Sequence, residues 1–145
     1  MRVLVDADSM PVRIREIICA RAARRGFTVD FYANSVIPLP ELSGISLHTV
    51  EDADDAMVVA AIPGELAVTH DIPLAARLVE IGVTVLTDRG DRFTDENVRE
   101  RLSNRDFAQE LRDAGFVPER PRPFGPREIQ GFANAFDREL TSRGL

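Results

Sequence analysis

Short apolar runs bounded by turn residues alternate with helical patterns over roughly the first ninety residues of the chain. The apolar runs predict strands at residues 2–5, 28–32, 46–50, 66–69 and 84–86. Helical spacing, with breaks at Gly26, Pro63-Gly64 and Gly82, predicts helices at residues 11–25, 54–61 and 73–81. This alternation is typical of a parallel sheet with crossover helices. We therefore predict an α/β fold with three α/β/α layers and a mainly parallel sheet.

The rest of the chain is predicted to be helical around a proline-rich connector. Thr94 suits an N-cap, so a helix is expected from there to Gly115, with a break near Asn104 left open. Residues 118–126 hold four of the nine prolines and predict an extended connector. A last helix over residues 127–143 carries an apolar docking stripe, which consists of Ile129, Phe132, Ala133 and Phe136. Because the connector lies close to the end of the chain, one domain over residues 1–145 is expected.

Composition excludes several kinds of chemistry. All 18 basic residues are arginines, so no lysine is present for a Schiff base or a phosphate loop. The single cysteine, Cys19, excludes an internal disulfide and any multi-cysteine metal site. No run approaches the roughly 20 apolar residues of a membrane helix, and Met1 leads directly into a strand-like run rather than a leader peptide. We expect a cytoplasmic protein without a membrane partner.

The net charge of -6 is unevenly distributed. Residues 26–76 contain eight acids and no arginine, whereas arginines crowd residues 13–25 and 99–143. This distribution suits an acidic, cation-filled site that receives a polyanion. Solvated helix faces would give a similar distribution, so both interpretations stay open at this point.

Acidic residues follow several of the predicted strands. Asp6, Asp71 and Asp88 each lie just beyond the carboxyl end of a strand. Because parallel strands point the same way, the three acids are expected at one edge of the sheet, where open α/β folds place ligands. Asp54 and Asp55 begin the helix after the third strand and come close to the same edge if that strand is also parallel.

Carboxylates gathered at one edge repel one another, by about 1 to 4 kcal/mol per close pair. Asp8 joins the group if the chain stays extended beyond Asp6, since the two side chains then project to the same side. Protonation or bound divalent cations would relieve the repulsion. Oxygen ligands without a histidine and cysteine cluster favour Mg²⁺ or Mn²⁺ over zinc. Two such ions about 3.5 to 4 Å apart activate water and stabilise the leaving oxygen of a phosphodiester.

Structural roles compete with this interpretation. Asp54, Asp55 and Asp71 each suit a helix cap, and Asp88 suits a turn. For Asp6 the sequence favours a functional role, because a carboxyl directly after an apolar Val-Leu-Val run is costly to bury without a partner.

Other catalytic groups are not indicated by the sequence. His48 lies in a short predicted strand, and His70 is expected to point to the face opposite Asp71. The sequence shows no serine or cysteine nucleophile with suitable supporting residues, so it does not indicate an acyl-transfer triad. It also contains no glycine-rich phosphate loop. The aromatic residues are expected to serve as core or docking residues rather than base-stacking platforms.

Motifs along nearly the whole chain resemble those of the bacterial YaiI/YqxD family. The most specific is Thr-His-Asp-Ile-Pro-Leu-Ala at residues 69–75. The other matching segments are residues 5–8 with Pro11, 33–34, 52–55, 89–90, 96–102, 105–107 and 132–134. That family, largely uncharacterised in function, looks like a member of the PIN-like superfamily, whose better-known members are metal-dependent ribonucleases.

The resemblance implies roles for matching residues. The first acid of the PIN pattern falls on Asp6, the acid of the middle helix on Asp54 or Asp55, and the Thr-x-Asp pair on Thr69 and Asp71. A PIN-like domain with a site for Mg²⁺ or Mn²⁺ is therefore expected.

Two departures from the pattern affect this assignment. Asp8 stands where many PIN domains have a small neutral polar residue, which implies a different metal geometry. Members of the family often lack an acid at the position of Asp88, which weakens Asp88 as a ligand. Asn34 is expected to position ligands or substrate, as is Thr69. The candidate phosphate contacts are Arg13, Arg89, Arg99 and Arg101.

Taken together, the sequence predicts a nuclease that hydrolyses phosphodiesters in RNA. Asp6, Asp55 and Asp71 are the expected catalytic metal ligands, with Asp54 and Asp8 next in line. A first alternative is a metal-binding or nucleic-acid-binding module without turnover. A second is a haloacid-dehalogenase-like phosphatase with Asp6 as nucleophile and Asp8 as acid and base, which the absence of lysine disfavours. Protein partners are not predicted, and a homo-oligomer is left open.

Overall fold

A single six-stranded sheet lies at the centre of the computed structural model, which describes residues 1–116 and 123–145. Its strands are β1 (Arg2–Asp6), β2 (Thr28–Ala33), β3 (Ile45–Thr49), β4 (Leu66–Val68), β5 (Thr84–Leu86) and β6 (Arg92–Phe93). The helices are α1 (Val12–Arg25), α2 (Ala53–Ala60), α3 (Ile72–Glu80), α4 (Asp95–Asp113) and α5 (Pro126–Ser142). The strand order is β3-β2-β1-β4-β5-β6, and every neighbouring pair is parallel except β5 and β6.

Alternate residues of the sheet face two different helix layers. Val3 and Val5 belong to a buried cluster with residues of α1 and α5, whereas Leu4 belongs to a second cluster with residues of α2, α3 and α4. Because side chains alternate across a strand, the helices cover both faces and complete the three-layer α/β/α fold. The docking stripe of α5 lies in the first cluster, with Phe132, Ala133 and Phe136 buried and Ile129 partly buried.

The centre of the sheet contains a switch point between β1 and β4. The chain runs from β1 outward to β2 and β3 on one side, and then crosses back to β4 and β5 on the other. Open α/β sheets bind ligands in the crevice outside the carboxyl ends of strands at such a point. Val5 of β1 pairs with Val68 of β4, so Asp6 and Thr69 follow directly at this crevice.

The hairpin between β5 and β6 approaches α5 closely. The buried hydroxyl of Thr87 accepts hydrogen bonds from the backbone N–H groups of Arg89 and Asp91, each at 3.1 Å. Gly90 has a φ of 89°, and a Cβ on it would lie 2.5 Å from the carbonyl oxygen of Gly131 in α5. The close approach therefore requires glycine at this corner.

The structure corrects several details of the predicted elements. The sequence did not predict β6, because a two-residue strand is too short to show a period and depends on the preceding turn. No break occurs at Asn104, since α4 continues through it. The chain is not extended beyond Asp6, because Ala7–Ser9 form a 3₁₀ turn. The third strand is parallel as required, and α5 begins at Pro126.

Of the predicted connector, residues 118–122 lie outside the described residues. Among the helices of the described ranges, none has both the length and the apolar character needed to cross a bilayer.

Candidate functional site

Asp6 is a buried carboxyl at the switch point. It ends β1, and only 4% of its surface is exposed. The Thr69 hydroxyl donates a hydrogen bond to its Oδ2 over 2.7 Å. Burial raises the pKa of Asp6, and the nearby charges of Asp71 and Asp8 act in the same direction, while the Thr69 hydrogen bond opposes them. Because burial disfavours the charged form, an ionised Asp6 would be stabilised by a cation.

Asp71 is tied to Asp6 through Thr69. The backbone N–H of Asp71 donates to the Thr69 hydroxyl over 3.0 Å, so this hydroxyl bridges the two acids. The Asp71 Oδ1 atom accepts a hydrogen bond from the backbone N–H of Leu74 and caps α3. The capping role expected for Asp71 is therefore confirmed. The cap uses Oδ1, and the same side chain acts electrostatically on Asp6.

Asp54 brings a third element to the same crevice. It lies in the first turn of α2 and is partly buried. Burial and then the negative charges of Asp6 and Asp71 raise the pKa of Asp54 to about 6. The end of β1 and the beginnings of α2 and α3 thus gather three carboxyl groups close enough for their charges to interact. We call Asp6, Asp54 and Asp71 the acid cluster.

Asp55 and Asp8 lie at the margin of the acid cluster. The Asp55 side chain is 58% exposed, and its Oδ1 lies 3.0 Å from the Arg77 guanidinium. The N-cap of α2 is Asp52, whose Oδ1 accepts from the backbone N–H of Asp55, so the capping role considered for Asp54 and Asp55 is corrected. Asp8 lies in the 3₁₀ turn.

Asn34 follows β2 and forms hydrogen bonds with the turn after β1 and with the start of α2. Its backbone N–H donates to the Asp8 carboxylate over 2.8 Å, and its side-chain Oδ1 accepts from the backbone N–H of Ala53 over 3.3 Å. Because Ala53 precedes Asp54, this contact fixes the start of α2 beside the acid cluster. The role of Asn34 in positioning a ligand or substrate stays a prediction.

Asp88 is paired with a histidine. It is 6% exposed, and its Oδ2 lies 3.3 Å from Nδ1 of His70. This hydrogen bond raises the pKa of His70, with burial opposing it. The sequence predicted that His70 points to the face opposite Asp71; in the structure its ring lies against Asp88, and the charges of Asp6 and Asp71 also act on it.

Two of the four predicted phosphate contacts lie over aromatic rings beside the His70–Asp88 pair. The guanidinium of Arg89 lies 5.2 Å from the centre of the Phe124 ring, and that of Arg101 lies 4.9 Å from the centre of the Phe93 ring. Arg101 also lies 3.8 Å from the Asp91 carboxylate. Both arginines line the same cavity as His70 and Asp88.

The other two arginines have exposed positions. Arg13 forms a 3.2 Å ion pair with Glu16 on its own helix. Arg99 is exposed near the start of α4. Neither position adds to the case for a specific phosphate contact, and both stay predictions.

Part of the acid-rich segment pairs with Arg2 and His48 rather than with the acid cluster. Arg2, at the start of β1, forms a bidentate pair with Glu65 at 2.7 Å and contacts Asp30 at 3.3 Å. Asp30 also lies 3.3 Å from His48, which stacks on Tyr32 with ring centres 4.8 Å apart. Asp30, Glu65 and His48 thus have structural partners away from the acid cluster.

The acid cluster suits a hard divalent cation in donor type. Its candidate ligands are carboxylates, which Mg²⁺ and Mn²⁺ prefer, and burial followed by neighbouring negative charge raises the pKa of Asp6 and of Asp54. Its spacing is less favourable: over residues 1–116 and 123–145, no three His, Cys, Asp or Glu side chains are arranged to hold a metal ion as they stand. Binding would require the carboxylates to rotate toward a common centre.

Sequence reasoning missed two features of this site. The choice of Asp54 over Asp55 depends on the direction in which α2 leaves its cap, and helix spacing alone does not reveal it. The His70–Asp88 contact depends on how far the chain turns after β4. A signal for the first was present, since Asp52 is a good N-cap and would place Asp54 and Asp55 in the first turn.

The fold and the acid cluster define a class: a doubly wound α/β protein with carboxyl groups at the switch point of its sheet. Within this class, the chain belongs to the YaiI/YqxD family, described as "Uncharacterized BCR, YaiI/YqxD family", which matches residues 4–142. No solved structure matches the chain.

Relatives cover almost the full length of the chain. A UPF0178 protein of Syntrophobacter fumaroxidans is 44% identical over 99% of this chain and 96% of its own. One from Myxococcus xanthus is 46% identical, with 97% of this chain and 95% of the relative covered. A third, from Treponema pallidum, is 44% identical over 96% of this chain and 81% of its own. Their names state no activity.

Proposed function

We propose that this protein is a metal-dependent nuclease that hydrolyses phosphodiester bonds in RNA. The observation that carries the proposal is the acid cluster, in which Asp6, Asp54 and Asp71 come from separate elements to the switch point of the sheet. The resemblance to PIN-like ribonucleases in the Thr-x-Asp motif supports the same activity. The position of Asp88 beside His70 supports a role near the substrate better than a role as a metal ligand.

Each residue of the cluster has a stated task in this proposal. Asp6, Asp54 and Asp71 would hold Mg²⁺ or Mn²⁺, with Asp55 and Asp8 near enough in sequence to contribute. When bound, such a cation supplies an activated water and stabilises the charge on the leaving oxygen. Thr69 holds the Asp6 carboxyl in place through its hydroxyl, and Asn34 fixes the start of α2. We also propose that the fold of this protein is related to that of the PIN-like superfamily.

Cleavage of a labelled single-stranded RNA in Mn²⁺ or Mg²⁺ tests the proposal. We expect the wild-type protein to cleave and Asp71→Asn to lose about 100-fold or more of the rate. Asparagine keeps the N-cap of α3, so this variant should stay folded. Asp106→Asn, an exposed change on α4, is the matched control and should cleave like the wild type.

Two results would contradict the proposal. Cleavage that survives in Asp71→Asn would indicate a contaminating nuclease or another site. RNA or metal binding without cleavage would favour the non-catalytic module. The phosphatase alternative gains no support, because Asp8 is engaged with the backbone of Asn34 and Asp6 is buried against Thr69. The proposed setting is cytoplasmic, and self-association stays a prediction.

A further inference from the structure

A cavity of about 470 Å³ opens beside the acid cluster, on the side of β5 and β6. It is bordered by His70 and Ile72, which flank Asp71 in sequence, and by the β5–β6 hairpin. Ligand pockets in proteins commonly have volumes of roughly 300 to 1,000 Å³. The cavity therefore has room for a small organic group next to the three carboxylates.

The wall of the cavity contains planar groups and apolar side chains. Phe93 and Phe124 each have an arginine guanidinium over the ring, at 4.9 Å for Arg101 and 5.2 Å for Arg89. Aromatic rings and guanidinium planes are the surfaces on which proteins stack unpaired bases. Pro11, also in the wall, adds an apolar surface.

Each charged side chain that the next sentences name in the cavity wall has an oppositely charged partner, either in the wall or next to it. Arg101 lies 3.8 Å from Asp91, and Arg89 lies 3.7 Å from Glu128. His70 lies against Asp88. Paired charges make this a poor trap for a bare phosphate, whereas Asp91, 59% exposed, offers acceptor oxygens to ring N–H and amino groups.

We propose that this cavity binds one nucleobase of a single-stranded RNA, next to the phosphodiester that the acid cluster cleaves. The inference rests on the proposed function for its substrate class. It adds a pocket that positions the RNA relative to the acid cluster by binding one base. The base stacks between the partly buried Phe124 ring and the Arg101 guanidinium, which lies over the buried Phe93 ring, and its polar edge meets Asp91. This assigns to Phe124 a base-binding role that the sequence did not predict.

A titration without metal tests the base pocket directly. Amide spectra of the ¹⁵N-labelled protein in EDTA are recorded with GMP and, as the matched control, ribose 5-phosphate. We expect GMP to bind with a Kd of about 1 mM or tighter, and to shift amides of residues 87–93 and 101. Ribose 5-phosphate should bind about ten-fold more weakly. Equal binding of the two ligands, shifts confined to other surfaces, or no shifts with GMP would overturn the proposal.

A pair of variants on α4 checks the location. Arg101→Met removes the guanidinium over Phe93, and Arg105→Met removes an exposed arginine one helical turn further on. We expect GMP affinity to fall about five-fold or more in the first variant and to stay unchanged in the second. Equal affinities in the two variants would contradict the assignment. Amide spectra without ligand establish that both variants are folded.

Failure of this inference is distinguishable from failure of the proposed function. RNA cleavage together with an absence of GMP binding would remove the base pocket and leave the nuclease. GMP binding in the cavity together with an absence of cleavage would support the base pocket and remove the nuclease.

Discussion

Asp54 and Asp55 are neighbours in sequence with opposite electrostatic surroundings. Asp55 has the Arg77 guanidinium at 3.0 Å and is exposed. Asp54 is partly buried, and burial followed by the negative charges of Asp6 and Asp71 raises its pKa to about 6. The Asp54 carboxylate is therefore destabilised, whereas Asp55 has a cationic partner. The stabilities of Asp54→Asn and Asp55→Asn therefore test whether the two positions differ electrostatically.

We expect Asp54→Asn to stabilise the metal-free protein at about pH 8, by about 1 kcal/mol once solvent screening is allowed for. The folded pKa is raised, so the folded state holds the proton more tightly than the unfolded chain. The contribution of Asp54 to wild-type stability is thus fully present below about pH 4 and is lost as the pH rises through about 6. The advantage of Asp54→Asn should accordingly vanish near pH 4. Urea unfolding in EDTA at both pH values measures it.

Asp55→Asn is the matched control. It removes an exposed ion pair worth less than about 1 kcal/mol, so it should be neutral or slightly destabilising at pH 8. A gain in stability equal to that of Asp54→Asn would mean that the acid cluster does not distinguish the two positions.

At the scale of elements, the β5–β6 hairpin links the cavity to the docking of α5. The corner of this hairpin meets α5 where Gly90 and Gly131 lie together. Its other side presents Asp91 and Phe93 to the cavity. On the opposite side of α5, Asp137 pairs with Arg21 of α1 at 2.8 Å. A helix remote in sequence therefore supports the wall of the cavity.

Gly90→Ala should destabilise the protein by about 3 kcal/mol, because it combines the cost of a positive φ, about 1 to 2 kcal/mol, with a clash against the backbone of α5. Gly64→Ala is the control, since Gly64 has a φ of 90° and no atom within 4 Å of an added Cβ. It should lose only about 1 to 2 kcal/mol. Equal losses in denaturant unfolding would show that the contact with Gly131 is not energetically significant.

At the scale of the molecule, charge is separated between the two edges of the sheet. Arg2 balances Asp30 and Glu65 at the amino edge. The carboxyl edge carries the acid cluster, in which burial, and then neighbouring negative charge, raises the pKa of Asp6 and of Asp54. The cluster lies where strands β1 and β4 end.

We expect Mg²⁺ or Mn²⁺ to raise the unfolding temperature of the wild-type protein, since a cation bound only by the folded state stabilises it by about 2.7 kcal/mol at 100 times its Kd. Asp71→Asn should be as stable as the wild type or more stable without metal, and should lose the response. Differential scanning calorimetry in EDTA and in added metal measures both. NaCl at matched ionic strength controls for screening. An equal response in wild type and Asp71→Asn would place the cation elsewhere.

The sequence determined the main architecture, because local patterns carry it. Apolar runs separated by helical stretches, with glycines and prolines at the breaks, predicted β1 to β5 and their crossover helices. The acids after parallel strands predicted the carboxyl edge, and Asp6 and Asp71 lie there as expected. Three of the family motifs, residues 5–8, 52–55 and 69–75, begin at the same edge.

Tertiary structure decided what depends on direction and distance between remote segments. The 3₁₀ turn at Ala7–Ser9 carried Asp8 away from an extended path, and the cap at Asp52 directed Asp54 rather than Asp55 toward the acid cluster. The strand β6 exists because the preceding turn brings two residues back against β5. The contact of His70 with Asp88 joins residues from two strand ends. No local period encodes these features, because each depends on packing between segments far apart along the chain.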